Sequence, residues 1–124
     1  MKKILTILAG VALLSGCCNC PCKKAAEAEK GMKDYTAKYF VLGTALNTDH
    51  IIGADVEGVN ATKLHFGAIS PENCLKPEEV HPYPGVYEWT IPDAYVEFGL
   101  ENKMFIHGHP LVWHSQCPDW FFSD

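Results

Sequence analysis

Short apolar runs alternate with segments of helical periodicity along most of the chain beyond residue 38. The runs at 39–46, 66–69 and 104–109 predict three strands, the first of them apolar enough to be buried on both faces. Between them, apolar residues recur at loosely helical spacing over 51–64 and at a period near 3.6 over 91–104. Strands alternating with helices predict an α/β fold whose parallel strands are joined by right-handed crossovers.

Turn and capping residues mark the ends of these elements. Asn47–Asp49 indicates a turn after the first strand, and Ser70–Pro71 ends the second. Thr90 offers a capping hydroxyl, with a proline and an acid just behind it, so a helix is predicted to begin there. The prolines of 76–87 predict loop with at most one helical turn, and 118–121 indicates the start of another helix.

The first residues have the order of an export signal. Two lysines precede an apolar stretch from Ile4 to Leu14, which is too short to span a bilayer, and small residues follow. The ending Leu14–Cys17 resembles a bacterial lipobox, which implies cleavage before Cys17 and lipid attachment to its thiol and new amino group. We therefore expect an exported lipoprotein of the cell envelope, held to a membrane by its lipid anchor. An ordinary signal peptide remains the alternative.

Three further cysteines, Cys18, Cys20 and Cys22, follow the lipobox. Their spacing is poor for zinc, which usually takes pairs of ligands separated by a loop, so a tether with acylated or paired cysteines is favoured over a metal site. The predicted organisation is a lipoprotein signal peptide at 1–16, a tether and linker at 17–38 with a helical turn or two, and a folded domain at 39–124.

Composition narrows the classes of function. The sequence has 124 residues, a net charge of −5 and no arginine, so nucleic acid is not expected as a partner because phosphate contacts need a basic face. An apolar fraction of 48% with 20% charged residues argues against a wholly disordered chain. The length suits one small domain, and it is about half of the roughly 250 residues of a closed eight-stranded barrel.

The loop after the second predicted strand carries mixed polar chemistry. Glu72, Asn73 and Lys76 bring a carboxylate, an amide and an ammonium within five residues. Sugar hydroxyls both donate and accept hydrogen bonds, so such a set can satisfy them together. The alternative is structural: a helix start with Glu72 at its positive end and Lys76 as a salt-bridge partner.

The loop after the third predicted strand allows two kinds of chemistry. His107 and His109 alternate onto one face of the strand, as in some metal-dependent hydrolases, so that class is an alternative. Trp113 and Gln116 suit stacking on a pyranose ring and hydrogen bonding to it better than they suit a metal shell. A purely structural interpretation, with Trp113 filling the core, also stays open.

Two long motifs carry a family resemblance. HFGAISPENCLKPEEVHPYPGVYEW at 65–89 and IHGHPLVWHSQCPDWFF at 106–122 closely resemble the amino-terminal part of glycoside hydrolase family 10 endo-1,4-β-xylanases, over 39–122. The resemblance implies a partial TIM (β/α)8 barrel, about its first three β/α units. It also implies retaining cleavage of the xylan backbone by a monomeric enzyme that uses two glutamates and no cofactor or metal.

The resemblance assigns roles to residues by position. It implies that xylan or xylo-oligosaccharide is bound on the glycone side by the residues matching the two motifs, namely Glu72, Asn73, Lys76, His109, Trp113 and Gln116. His114 matches a residue that orients its neighbours. His107 stands where the family usually has arginine and Pro110 where it usually has threonine, which puts the pose of His109 in question.

Neither glutamate that the family uses for catalysis has a counterpart here. The family's acid/base follows the fourth strand and its nucleophile follows the seventh, whereas this sequence matches only the first three units. We therefore assign no catalytic residue and expect a truncated enzyme that is inactive by itself, since retaining cleavage needs two carboxyls about 5–5.5 Å apart. The alternative from another class is a non-catalytic carbohydrate-binding lipoprotein.

Overall fold

A computed structural model describes residues 28–123. Its sheet has three parallel strands in the order β1-β2-β3, namely Gly43–Leu46, Ala68–Pro71 and Phe105–Ile106. The α-helices are α1 Met32–Thr36, α2 Thr48–Ile51, α3 Val56–His65, α4 Pro77–Val80 and α5 Thr90–Glu101, and a 3₁₀ helix spans Asp119–Phe122. The prediction of an α/β fold with parallel strands is confirmed.

The strands are shorter than the apolar runs that predicted them. β1 begins only at Gly43, and Tyr39 is 81% exposed because no described strand pairs with the outer edge of β1. β2 begins after Phe66, whose N–H donates to the Thr62 carbonyl and ends α3, and it continues to Pro71, beyond the predicted stop. Periodicity located the strands, but the pairing partner determines where each one ends.

The predicted helix between β1 and β2 is two helices. The chain turns at Gly53, whose φ of 75° lies in the left-handed region that glycine adopts without strain. The predicted turn at Asn47 is a helix start, because the Asn47 side chain accepts the His50 N–H and caps α2. Asp55 caps α3 in the same way by accepting the Gly58 N–H at 2.9 Å.

Helix α5 supplies much of the core, as its apolar period predicts. Tyr95 and Phe98 on α5, and Met104 just after it, lie in a buried cluster with Leu46 and Ile69 from the strands. The predicted Thr90 cap is wrong: Trp89 precedes the helix, and no side chain caps its first turn.

A glycine lets α5 approach the sheet closely. A Cβ on Gly99 would lie 2.5 Å from Ile106 Cγ1, so a larger residue would displace either the Ile106 side chain or the helix. Gly99 and Tyr95 lie one turn apart, so the same face of the helix meets β2 and β3.

A helix precedes the predicted domain boundary at Tyr39. Helix α1 lies inside the segment 17–38 assigned to tether and linker, and it is attached to α3 by a hydrogen bond from Lys33 Nζ to the Lys63 carbonyl at 2.6 Å. The proposed signal peptide and Cys17, Cys18, Cys20 and Cys22 lie outside the described residues. Within 28–123, no helix combines the length and hydrophobicity needed to cross a bilayer.

Candidate functional site

The two loops that the sequence singled out follow neighbouring strands. The β2 loop, residues 72–76, and the β3 loop, residues 107–117, leave the carboxyl ends of parallel strands, which lie at the same edge of the sheet. The β2 loop starts with a bond from the Glu72 N–H to the Leu46 carbonyl at 2.9 Å, which ties it to β1 as well. The topology therefore brings the two groups of polar residues together.

Three side chains join the loops in a closed hydrogen-bonded triangle. Lys76 Nζ donates to Asn73 Oδ1 at 2.9 Å and to Gln116 Oε1, and Gln116 Nε2 donates to Asn73 Oδ1 at 3.1 Å. The Lys76 side chain is buried at 8% exposure, and these amide oxygens replace the water that its charge gives up. The structural alternative requires a salt bridge between Glu72 and Lys76. The Lys76 ammonium bonds to the amide oxygens of Asn73 and Gln116 instead.

Trp113 is fixed against the triangle. Lys76 Nζ lies 4.8 Å from the centroid of its ring, a cation–π contact. The Trp113 carbonyl accepts a hydrogen bond from Cys117 Sγ at 2.9 Å, and the His114 ring meets the indole edge-on at 4.8 Å between centroids. The indole is half-buried at the loop surface rather than in the core, which disfavours its interpretation as a core filler.

Gln116 has an uncommon backbone conformation. Its φ is 53°, which costs a residue with a Cβ about 1 kcal/mol or more. The conformation is maintained by the bonds that its side chain makes in the triangle and by its carbonyl, which accepts the Glu78 N–H at 3.0 Å. A strained backbone at a predicted binding residue is typical of functional sites.

The first two histidines of the β3 loop lie side by side. The ring centroids of His107 and His109 are 6.3 Å apart with nearly parallel planes, and His109 lies 6.4 Å from Trp113. His107 Nδ1 is 3.3 Å from Ser70 Oγ on β2, and the His109–Pro110 peptide bond is cis.

The metal-hydrolase alternative needs at least a third ligand beside these histidines. In the part of the chain that the structure describes, no three His, Cys, Asp or Glu side chains come together in a way that suits a metal ion. That alternative therefore receives no support from the geometry.

An apolar cleft of about 480 Å³ adjoins His109. Trp89 and Phe121 contribute aromatic walls, and Leu111 lies at its edge with 96% of its surface exposed. His81 lines the same cleft and stacks on Tyr87 at 4.0 Å between ring centroids.

Two buried ionisable groups lie near the site without the properties of nucleophiles. Burial raises the pKa of the Cys74 thiol from its ordinary value of 9.0 to about 11. Burial, with a smaller contribution from Cys74, also raises the pKa of the Tyr95 hydroxyl. Both groups stay protonated near neutral pH, so neither provides a reactive anion.

A family model, glycosyl hydrolase family 10, matches residues 31–124. This chain belongs to glycosyl hydrolase family 10. The match confirms the resemblance carried by the two motifs, and it begins at Gly31, directly before α1, rather than at Tyr39.

Family 10 relatives and structures resemble the chain closely. Endo-1,4-beta-xylanase A from Xylanibacter ruminicola is 40% identical over 124 residues, covering 100% of this chain and 32% of that protein. The structure of a family 10 endoxylanase from a sugarcane soil metagenome gives a TM-score of 0.72 at 39% identity, covering 76% of this chain and 28% of that one.

A solved complex with sugar is also among the similar structures. An intracellular xylanase mutant from Thermoanaerobacterium saccharolyticum with xylotriose gives a TM-score of 0.72 at 32% identity, covering 78% of this chain and 30% of that one. The three strands are thus the amino-terminal part of a family 10 TIM barrel, and the chain spans about a third of the length of such relatives.

Sequence reasoning missed three groups of this candidate site. Ser70 contacts His107, the Cys117 thiol anchors Trp113, and the Tyr95 hydroxyl reaches two strand carbonyls. Cys117 follows Gln116 directly and Ser70 precedes the β2 loop. Both lie within the two motifs, so the sequence could have indicated them. Tyr95 was recognised only as part of an apolar helix face, and its hydroxyl gave no signal.

Proposed function

We propose that the protein is a retaining endo-1,4-β-xylanase and that this chain provides the glycone end of its substrate cleft. The observation that carries the proposal is the triangle of Asn73, Lys76 and Gln116 beside Trp113, which presents donors, acceptors and an aromatic ring at one edge of the sheet. Xylo-oligosaccharide bound to a related xylanase supports the same substrate class.

The site suits a xylosyl unit chemically. A lysine ammonium has three N–H donors, and the triangle uses two of them, so Lys76 keeps one for a sugar hydroxyl. The exposed Glu72 carboxylate accepts hydrogen bonds from hydroxyls, and the Trp113 ring packs against the C–H face of a pyranose. His109, beside Trp113, provides a ring nitrogen at the end nearest the cleavage point.

The proposed reaction needs two carboxyls about 5–5.5 Å apart, one protonating the leaving oxygen and the other attacking the anomeric carbon. We assign neither role to a residue of this chain. The contribution of the chain is to bind and orient the sugar on the glycone side, which raises the rate by holding the reacting bond in place.

Titration with xylotriose tests the binding part. Calorimetry should detect saturable binding that Trp113→Ala abolishes, whereas Val112→Ala, which trims an exposed side chain in the same loop, should leave it unchanged. Equal binding by both variants, or no binding by the parent chain, would contradict the proposal.

Xylan hydrolysis tests the catalytic part. It should be measured on the protein encoded by the reading frame that contains this sequence, with Glu72→Gln as the variant. We expect xylo-oligosaccharide products from the parent and a reduced kcat/KM in the variant. Sugar binding with no hydrolysis would instead favour the carbohydrate-binding lipoprotein.

We further propose that the protein is an exported lipoprotein of the cell envelope, attached to a membrane through Cys17 and monomeric. The support is the order of charged, apolar and small residues over 1–17. Metabolic labelling with palmitate should mark the parent protein and mark Cys17→Ser less strongly. Sedimentation of the detergent-solubilised protein should give the mass of one chain.

A further inference from the structure

Tyr95 joins the two strands that lead into the site. Its side chain is completely buried, and its hydroxyl lies 3.0 Å from the Ile69 carbonyl and 2.9 Å from the His107 carbonyl. Ile69 is the second residue of β2, three positions before the β2 loop, and His107 opens the β3 loop. One hydroxyl therefore touches the backbone of both site-bearing segments.

The β2–β3 pairing needs such support at this end. β1 and β2 pair over four residues, whereas β2 and β3 pair over two, Ala68 with Phe105 and Ile69 with Ile106. The last backbone bond between β2 and β3 runs from the His107 N–H to the Ile69 carbonyl at 2.9 Å. The Tyr95 hydroxyl lies at the same pair of residues, where the ladder stops.

We propose that Tyr95 is a positioning residue of the sugar site, whose hydroxyl fixes the spacing between the β2 and β3 loops. The proposal rests on the proposed function only for its effect on sugar binding. A phenol has one proton, so the hydroxyl shares it between the two carbonyls and holds both at one distance from α5. Gly99, one turn further along α5, lets the helix lie close enough for this contact.

The spacing matters because the triangle spans both loops. Lys76 and Asn73 belong to the β2 loop and Gln116 to the β3 loop, so a shift of one strand end lengthens two hydrogen bonds at once. A phenylalanine at position 95 keeps the ring that fills the core and removes only the oxygen. A core-filling role and a positioning role therefore predict different results for Tyr95→Phe.

Backbone amide exchange measured by NMR on the chain without sugar separates these roles. In Tyr95→Phe, two N–H groups should exchange about tenfold faster: that of His107, which bonds to Ile69 on β2, and that of Glu78 on α4, directly after the β2 loop, which bonds to Gln116 in the β3 loop. The Phe66 N–H, bonded within α3, should be unchanged. Tyr35→Phe, which alters an exposed tyrosine on α1, is the matched control and should change none of these rates.

Xylotriose affinity is the second readout. We expect Tyr95→Phe to bind several-fold more weakly and Tyr35→Phe to bind like the parent. Unchanged exchange at His107 and Glu78 overturns the positioning role. If the parent chain does not bind xylotriose, the proposed function fails while the exchange rates still decide the role of Tyr95.

If Tyr95→Phe does not fold, the proposal can be tested on the parent chain. The Tyr95 hydroxyl proton should then appear in its NMR spectrum as a separate signal that exchanges slowly with water. A hydroxyl proton averaged with water would overturn the proposal, because a proton held between two buried carbonyls is protected from solvent.

Discussion

Replacing Lys76 by methionine tests whether the triangle holds the two site loops together. Methionine keeps most of the apolar stem, so the substitution removes the ammonium with little change in packing. The charge makes two hydrogen bonds and a cation–π contact 4.8 Å from the Trp113 ring centroid. Hydrogen bonds to charged groups contribute about 1.5–3 kcal/mol each, and a cation–π contact about 0.5–2 kcal/mol.

The net loss is smaller than the sum of these contributions. Removing a lysine that is only 8% exposed also removes the free energy needed to bury its charge, which is several kcal/mol. Asn73 keeps its bond from Gln116 Nε2, while Gln116 Oε1 loses its ammonium partner. We therefore expect Lys76→Met to lower the free energy of unfolding by about 2 kcal/mol.

Thermal and urea unfolding followed by circular dichroism measure this change. For a domain of this size, 2 kcal/mol corresponds to a fall in Tm of roughly 10 °C. Lys63→Met is the matched control, because Lys63 Nζ also lies over an aromatic ring, 5.7 Å from the Phe98 centroid. Lys63 is exposed, so removing its ammonium should lower the free energy of unfolding by under about 1 kcal/mol. A Lys76→Met protein as stable as the parent, or more stable, would show that charge burial outweighs the bonds and refute the reasoning.

Three further perturbations give separate expectations. The free energy of unfolding of Gln116→Gly should exceed that of Gln116→Ala by about 1 kcal/mol, because both lose the amide but only glycine accepts the positive φ. Gln116→Gly should therefore have the higher Tm, and equal Tm values would contradict this. The Cys74 thiol has a higher pKa folded than unfolded, so stability measured by urea unfolding should fall as the pH rises from about 9 to about 11, and less steeply in Cys74→Ala. Asp55→Ala removes the cap that accepts the Gly58 N–H and should cost about 1 kcal/mol in the same assay, with an unchanged value counting against the cap.

The sequence predicted the elements of the fold better than their ends. Apolar periodicity identified the strands and the buried face of α5, because burial of apolar surface is the dominant local signal. The helix predicted to start at 118–121 is a short 3₁₀ helix. The ends depend on partners that a pattern does not contain. Thr90 has a capping hydroxyl but lies inside the first turn, and Asn47 looks like a turn residue but caps α2.

The site was predicted as a set of residues, and the structure shows how they act together. Glu72, Asn73 and Lys76 were singled out for hydrogen bonding to a sugar, but Lys76 and Asn73 also bond to each other and to Gln116 in the next loop. That coupling depends on the register of β2 and β3, which the sequence does not specify. The positions stay predictions as sugar ligands until binding is measured.

The histidine pair shows why residue spacing alone left two chemistries open. A His-x-His sequence places two rings on one side of a strand whether the site binds a metal or a sugar, and the distinction comes from what other segments bring to the rings. Here Ser70 meets His107 from β2, and Trp113 meets His109 from further along the same loop. A hydroxyl and an indole suit hydrogen bonding to an uncharged, hydroxylated ligand and stacking on it better than they suit a metal shell. The proposed sugar site therefore predicts that His107→Ala weakens xylotriose binding in a solution that contains excess chelator as much as in one without it.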